Sequence, residues 1–137
     1  MELDDKIYEE ITELSERGDA FADNGKFEKA LQCFNTAYNM LPEPVYIWEA
    51  STWLLTSIGD MLFQMKQYEK SANSFFEAQK CPDGIGNPFI CARIGECLYE
   101  MNNPKSKEYL LQAYMLEGKD IFSDVDSKYY LSISDLV

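Results

Sequence analysis

The residue types that carry most enzyme chemistry are scarce in this sequence and do not group together. The 137 residues include no histidine, the side chain that most often serves as a general base. The sequence contains no Gly-x-x-x-x-Gly-Lys-Ser/Thr phosphate loop and no Gly-x-Ser-x-Gly nucleophile elbow. The acidic pair Asp124 and Asp126 is too short a pattern for a calcium loop. We therefore expect no catalytic site, no cofactor and no enzyme activity.

A glycine-rich stretch at 84–88 reads Gly-Ile-Gly-Asn-Pro. It follows the helix-stopping Pro82 and lacks the preceding strand that a dinucleotide site requires. Asn87 is typical of the residue that caps a helix, and Pro88 is typical of a first helical turn. The stretch predicts a loop that leads into a helix.

The four cysteines are Cys33, Cys81, Cys91 and Cys97, and none forms a Cys-x-x-Cys pair. A zinc site would need all four thiolates to converge from scattered helices, against the close spacings that structural zinc sites favour. Cys33, Cys91 and Cys97 fall at helix positions where small apolar residues pack. We expect reduced core cysteines in a reducing compartment and no metal site.

The charge balance restricts the class of partner. The chain has 24 acidic and 12 basic residues, a net charge of −12, which would repel a phosphate backbone and disfavours nucleic acid. An acidic field favours fast association with a basic protein, although solubility alone would explain the same composition. The charged N-terminus has no signal-peptide pattern, and no apolar stretch is long enough for a membrane helix. We expect a cytoplasmic protein without membrane association.

Three segments of the chain share one pattern of apolar residues at three- and four-residue steps, the spacing of one helix face. Each segment has a glycine in a first helix and an alanine in a second helix. The glycines are Gly18, Gly59 and Gly95, and the alanines are Ala37, Ala78 and Ala113. Because glycine lowers helix propensity, we expect each glycine to permit close approach of the second helix. The pattern predicts three helical hairpins.

The turns of these hairpins are marked by Asn24-Gly25, Lys66-Gln67 and Asn102-Asn103-Pro104, and Pro42 and Pro82 stop the second helices. The predicted helices are 3–23, 27–40, 45–65, 68–80, 88–101, 105–118 and 125–135. The link between the first and second hairpins is longer than usual, so residues 43–65 indicate one long helix that starts near Pro44.

These segments resemble the tetratricopeptide repeat (TPR), over residues 11 to 117. The resemblance implies an all-α fold, a right-handed superhelix of three TPR hairpins plus a C-terminal capping helix. We expect a single domain over residues 1–137, with repeats at about 11–42, 48–82 and 88–117 and the capping helix at about 125–135. The resemblance also implies that the first helix of each hairpin lines a concave groove.

The outward-facing residues of those first helices predict an acidic and aromatic groove. They are Ser15, Asp19, Ala22, Asp23, Trp53, Thr56, Asp60, Phe63, Gln64, Phe89, Ala92, Glu96, Tyr99 and Glu100. From these we select a protein-binding set: Asp19, Asp23, Trp53, Asp60, Phe63, Glu96, Tyr99 and Glu100. Carboxylates suit lysine and arginine, and aromatic rings add apolar area and cation–π contacts. The alternative is that the carboxylates only solvate the helices and the rings pack on neighbouring helices.

Chaperone-binding members of the resembled family clamp a C-terminal carboxylate with lysines and asparagines on the groove helices. The corresponding places here carry Ser15, Asp19, Thr56 and Asp60. Because these aspartates would repel a carboxylate, that ligand is not expected.

A narrower resemblance rests on several segments between 40 and 137. They include Leu41-Pro42-Glu43-Pro44, Trp48-Glu49-Ala50-Ser51-Thr52-Trp53 and Cys81-Pro82-Asp83-Gly84-Ile85-Gly86-Asn87-Pro88-Phe89. The combination is similar to small bacterial TPR proteins encoded beside polymorphic or contact-dependent toxins. It implies an immunity protein that binds and neutralises a cognate basic toxin domain. A type III-like secretion chaperone and a scaffold or adaptor subunit remain alternatives, as monomer or homodimer.

Overall fold

The computed structural model describes residues 2–137, and every regular element in that range is helical. The α-helices are α1 (Asp5–Asp23), α2 (Phe27–Asn39), α3 (Glu49–Gln64), α4 (Tyr68–Gln79), α5 (Pro88–Glu100), α6 (Ser106–Glu117) and α7 (Ser127–Leu131). Short 3₁₀ turns lie at Val45–Ile47, Lys119–Phe122 and Ser134–Leu136. The pairs α1–α2, α3–α4 and α5–α6 form hairpins, and α2 packs on α3 and α4 on α5. The predicted all-α stack of three hairpins is confirmed.

Each hairpin is held close by a glycine of its first helix that lies against a large side chain of its second helix. The pairs are Gly18 with Phe34, Gly59 with Phe75, and Gly95 with Leu110. A Cβ at each of these glycines would come within 2.7 or 2.8 Å of the partner side chain. All three partners are buried and have little room to move. The predicted role of the glycines is confirmed.

The three hairpin turns have the same backbone geometry. Gly25, Lys66 and Asn102 adopt positive φ angles of 73°, 61° and 57°. In each case the following N–H donates to a carbonyl five residues back, from Lys26 to Phe21, Gln67 to Leu62 and Asn103 to Leu98, at 2.8–2.9 Å. This bond satisfies a carbonyl that the helix end leaves free. The turns lie where the sequence predicts them.

The prediction of one long helix over 45–65 is wrong. A 3₁₀ turn at Val45–Ile47 is followed by the extended residue Trp48, and α3 begins at Glu49. The Trp48 side chain is 7% exposed, and its Nε1 donates to the Pro42 carbonyl at 2.8 Å. Burial of this indole against the first hairpin requires the chain to turn before α3 begins. Trp48 is thus a core residue and not a helical neighbour of Trp53.

The capping segment at the C-terminus is also more broken than the predicted helix 125–135. α7 covers only Ser127–Leu131, and the 3₁₀ turn Ser134–Leu136 follows it. Asp126 caps α7 by accepting the Lys128 N–H at 2.9 Å. Tyr129 and Ile133 of this segment pack with Leu110 and Phe122, so the segment covers the third hairpin as expected.

Two local predictions can be checked directly. The Asn87 side chain accepts the Ile90 N–H at 3.2 Å, and Pro88 is the first residue of α5, as predicted.

All four cysteines are buried free thiols, and burial raises the pKa of Cys97 to about 11. Within residues 2–137, no helix is both long and apolar enough to cross a membrane.

Candidate protein-binding groove

A furrow of about 390 Å³ lies between the C-terminal half of α1 and the middle of α3. We call it the α1–α3 furrow, and its lining residues are Asp19, Ala22, Asp23, Phe34, Ser57, Asp60 and Met61. It is open because α1 packs mainly on α2, which in turn contacts α3. Three members of the predicted binding set, Asp19, Asp23 and Asp60, therefore come together here.

The α1 side of the furrow carries unneutralised negative charge. Partial burial, followed by repulsion from Asp23 and Glu16, raises the pKa of Asp19. Asp19 and Asp23 are exposed, and neither takes part in the ion pairs found within the described part of the chain. A cation placed between them would relieve this repulsion.

The other carboxylates of the predicted groove are occupied by the chain's own cations. Arg93 of α5 donates from Nη2 to Asp60 Oδ1 at 3.0 Å and from Nη1 to Glu96 Oε1 at 2.8 Å. Its guanidinium carbon lies 4.3 Å from the ring centroid of Phe63 and 5.0 Å from that of Phe89. We call these five residues the Arg93 cluster. The cluster joins the second hairpin to the third. Its carboxylates and rings, which the sequence predicted to face a partner, contact Arg93 instead.

Glu96 is part of this cluster and not of the surface. The prediction that Ser15, Ala92 and Glu96 face outward is wrong, because they are 8%, 3% and 1% exposed. Burial raises the pKa of Glu96 to about 7, although the nearby Arg93 guanidinium opposes the rise. Ala92 lies beneath Ile121 of the turn that follows α6. The third hairpin therefore presents less open surface than its sequence predicts.

Glu100 and Tyr99 meet the C-terminal segment. Lys128 Nζ lies 2.9 Å from Glu100 Oε2, and the Tyr129 hydroxyl donates to the same oxygen at 2.9 Å. Burial, followed by this hydrogen bond, raises the pKa of Tyr129. The Tyr99 ring packs edge-on against Tyr129, with centroids 5.4 Å apart. The α7 segment thus covers this end of the predicted groove.

Trp53 lies apart from the other members of the predicted set. Its side chain is 38% exposed and lines a separate cleft near the start of α3. The predicted set therefore divides into the open carboxylates Asp19 and Asp23, the exposed Trp53, and side chains that bind Arg93 or Lys128.

Sequence reasoning did not predict that Arg93 and Lys128 pair with carboxylates of the groove. One signal for Arg93 was present, because Phe89 precedes it by four residues and Glu96 follows it by three, the spacings of side chains that meet on a helix. No local signal indicates that Lys128 reaches Glu100 from a different element.

Three stacked helical hairpins, each closed on a small residue, define a tetratricopeptide repeat fold. The chain belongs to the tetratricopeptide repeat family, as two relatives with similar sequences show. Tetratricopeptide repeat protein 21A of Mus musculus is 32% identical over 111 residues, 80% of this chain. Tetratricopeptide repeat protein 21B of Xenopus laevis is 32% identical over 95 residues, 69% of this chain. The chain spans only 8% and 6% of the length of these relatives. No family model matches the sequence.

Two solved structures share the arrangement over nearly the whole chain. One is the Yersinia enterocolitica type III secretion chaperone SycD in complex with a peptide of the translocator YopD, with a TM-score of 0.72 and 16% identity. It covers 92% of this chain and 91% of the chaperone. The other is the second TPR domain of human RPAP3 in complex with the HSP70 peptide SGPTIEEVD, with a TM-score of 0.69 and 18% identity. It covers 95% of this chain and 97% of that domain. At these identities the likeness establishes the fold.

Proposed function

We propose that this chain is a non-catalytic protein-binding module whose α1–α3 furrow captures a basic segment of a partner protein. The observation that carries the proposal is the contrast between two groups of carboxylates. Asp60, Glu96 and Glu100 are paired with Arg93 or Lys128. Asp19 and Asp23, by contrast, are exposed in the furrow and form no ion pair within the described residues. A lysine or arginine supplied by a partner is the group that this end of the furrow lacks.

The most specific form of the proposal is a cytosolic immunity protein that neutralises a basic toxin domain. It is supported by the resemblance to TPR proteins encoded beside toxins and by the net charge of −12. A toxin that acts on nucleic acid needs a basic surface for its substrate. An acidic protein that binds this surface would compete directly with the phosphate backbone.

A second candidate is a secretion chaperone that holds an extended segment of an exported protein. It is favoured by the likeness to SycD, which was solved with a translocator peptide. The ligand in the RPAP3 complex carries acidic residues, and Asp19 and Asp23 would repel such a peptide. The identity of the partner separates the two candidates, because a toxin domain and an exported translocator differ in sequence and in gene neighbourhood.

The test is a pull-down from the source organism with three tagged baits, eluted by a salt gradient and analysed by mass spectrometry. The baits are the wild type, the double variant Asp19→Lys and Asp23→Lys, and a control with Glu69→Lys and Glu108→Lys. The control makes the same change in net charge at exposed positions on the second helices α4 and α6.

The proposal predicts that one basic partner elutes from the wild type and the control at the same high salt, and is lost from the furrow variant. Equal retention by all three baits would contradict binding in the furrow. Equal loss from both variants would show that net charge alone drives capture, which also contradicts it.

A further inference from the structure

A second cleft, of about 580 Å³, lies where the N-terminal residues of the chain meet the start of the second hairpin. We call it the N-terminal cleft, and it is lined by Glu2, Leu3, Asp5, Tyr8, Ile47, Trp48, Glu49, Ala50, Trp53 and Pro82. One wall comes from the start of α1, ahead of residue 11 where the repeat pattern begins. The other comes from the long link between the first two hairpins and the first turns of α3. The cleft thus forms where residues that precede the first repeat meet the long link between the first two hairpins.

The walls of the N-terminal cleft expose large apolar side chains. Tyr8 is 53% exposed, Ile47 43% and Trp53 38%. Trp48 lies beneath them, nearly buried and fixed by its hydrogen bond to the Pro42 carbonyl. Exposed tyrosine and tryptophan side chains that pack on a rigid core residue are typical of binding sites. Because these side chains have few rotatable bonds, a partner that binds them loses little conformational entropy.

The rim of the cleft is acidic. Glu2, Asp5 and Glu49 are exposed carboxylates, and none of the described residues that line the cleft is basic. Lys6 lies on the same turn of α1 but is not part of the lining. Within residues 2–137, the lining of the cleft therefore combines ring faces and negative charge and contains no cation.

The Arg93 cluster shows what such a combination accommodates. There, two aromatic rings and two carboxylates surround one guanidinium group. Lys128 repeats the arrangement with Glu100 and the ring of Tyr129, whose centroid lies 5.3 Å from Nζ. Tyr8 and Trp53, by contrast, receive no cation–π contact from the described residues. The described lining of the cleft thus offers rings and carboxylates to a cation that it does not itself supply.

We propose that the N-terminal cleft is a second anchor for the same basic partner segment, and that it takes an arginine or lysine side chain flanked by an apolar residue. The inference rests on the proposed function. Tyr8 and Asp19 are separated by about 16 Å along α1, at 1.5 Å per residue. An extended segment covers that distance with about five residues, at roughly 3.3 Å per residue. One short stretch of partner can therefore reach both the furrow and the cleft.

The experiment uses the full chain and a defined probe. The probe is a short acetylated and amidated peptide of arginine, leucine and alanine, and its uncharged twin has citrulline at each arginine. Binding is followed by the indole N–H resonance of Trp53, which lines the cleft wall, and the backbone N–H of Met115, which lies outside the cleft, serves as the internal reference. The inference predicts that the arginine peptide shifts the Trp53 indole resonance and the backbone resonances of Tyr8 and Glu49, and that the citrulline peptide does not.

Variants then separate the inference from the proposed function. The variants Trp53→Ala and Glu49→Gln should each lower the affinity for the arginine peptide by about tenfold. Met115→Ala, at a position 83% exposed and outside the cleft, should leave binding unchanged. If the cleft variants bind like the wild type while Asp19→Asn with Asp23→Asn binds weakly, the cleft is not an anchor and the proposed function stands.

The remaining outcomes also decide the matter. Equal affinity for both peptides would overturn the cation site, because contact would then be apolar only. Absence of a shift at Trp53, Tyr8 and Glu49 with either peptide would overturn the inference, and shifts at Asp19 and Asp23 in the same spectra would leave the proposed function standing.

Discussion

Arg93 determines which of the predicted groove carboxylates remain free. Its guanidinium group, 10% exposed, binds Asp60 and Glu96 and lies between the rings of Phe63 and Phe89. The residue types of the groove were predictable from the hairpin pattern. The pairing was not, because Asp60 and Arg93 are 33 positions apart in the sequence and meet only after two hairpins have stacked.

Glu96 should make the stability of the protein depend on pH. Its pKa in the folded protein is about 7, above the ordinary value of 4.5, so folding favours its protonated form. This contribution to the free energy of unfolding is fully present below about pH 4.5 and is lost as the pH rises through 7. Between about pH 4.5 and pH 7 the wild type should therefore lose up to about 3 kcal/mol of unfolding free energy through Glu96. In Glu96→Gln this loss should be absent.

The measurement is urea unfolding at several pH values, with the exposed Glu69→Gln as the control for a lost carboxylate. If Glu96→Gln and Glu69→Gln have the same pH profile, Glu96 is not the titrating group.

Gly59 should not tolerate even a methyl group. A Cβ there would lie 2.8 Å from the ring of the fully buried Phe75. Overpacking of this kind costs about 1–3 kcal/mol, whereas alanine gains about 1 kcal/mol in helix propensity. We expect Gly59→Ala to lower the free energy of unfolding by about 1 kcal/mol, measured in urea. The added change Phe75→Leu should recover part of the loss, and a stabilised single variant would contradict the close approach.

At the scale of helices, the local signals predicted most of the structure. The turns at Asn24-Gly25 and Lys66-Gln67 lie as expected. Their positive φ angle and the hydrogen bond that closes the preceding helix end involve only a few neighbouring residues. The segment before α3 could not be predicted in this way. Its path depends on Trp48, whose indole packs on the first hairpin and bonds to Pro42, a contact without a periodic signal.

One hydroxyl group should contribute measurably to holding the α7 segment over α5. Tyr129 donates to Glu100, whose side chain is 16% exposed, at 2.9 Å. Because the acceptor is a partly buried carboxylate, we expect Tyr129→Phe to cost about 2 kcal/mol of unfolding free energy. Thermal unfolding would measure the loss.

The matched control for this change is Tyr130→Phe. Within the described residues the Tyr130 hydroxyl makes no hydrogen bond to a protein group, although its ring packs near Phe122. A loss as large in Tyr130→Phe as in Tyr129→Phe would exclude the bond to Glu100 as the cause.

At the scale of the whole molecule, the sequence predicted the stack of three hairpins and an acidic, aromatic surface on the first helices. It did not predict that the second and third hairpins neutralise their own share of that surface. Because Arg93 and Lys128 satisfy Asp60, Glu96 and Glu100, we place the free negative charge at the α1 end. In the proposed function, this division directs a basic partner to the α1 side of the groove.

The measurement that tests this account most directly is the affinity of the purified partner domain for the wild type and for Asp19→Asn with Asp23→Asn, over a series of salt concentrations. The control is Glu69→Gln with Glu108→Gln. Charge pairs in the furrow predict that the furrow variant binds about tenfold or more weakly at low salt and depends less on salt than the wild type. An affinity and a salt dependence equal to those of the control would contradict the central claim, because Asp19 and Asp23 would then not contact the partner.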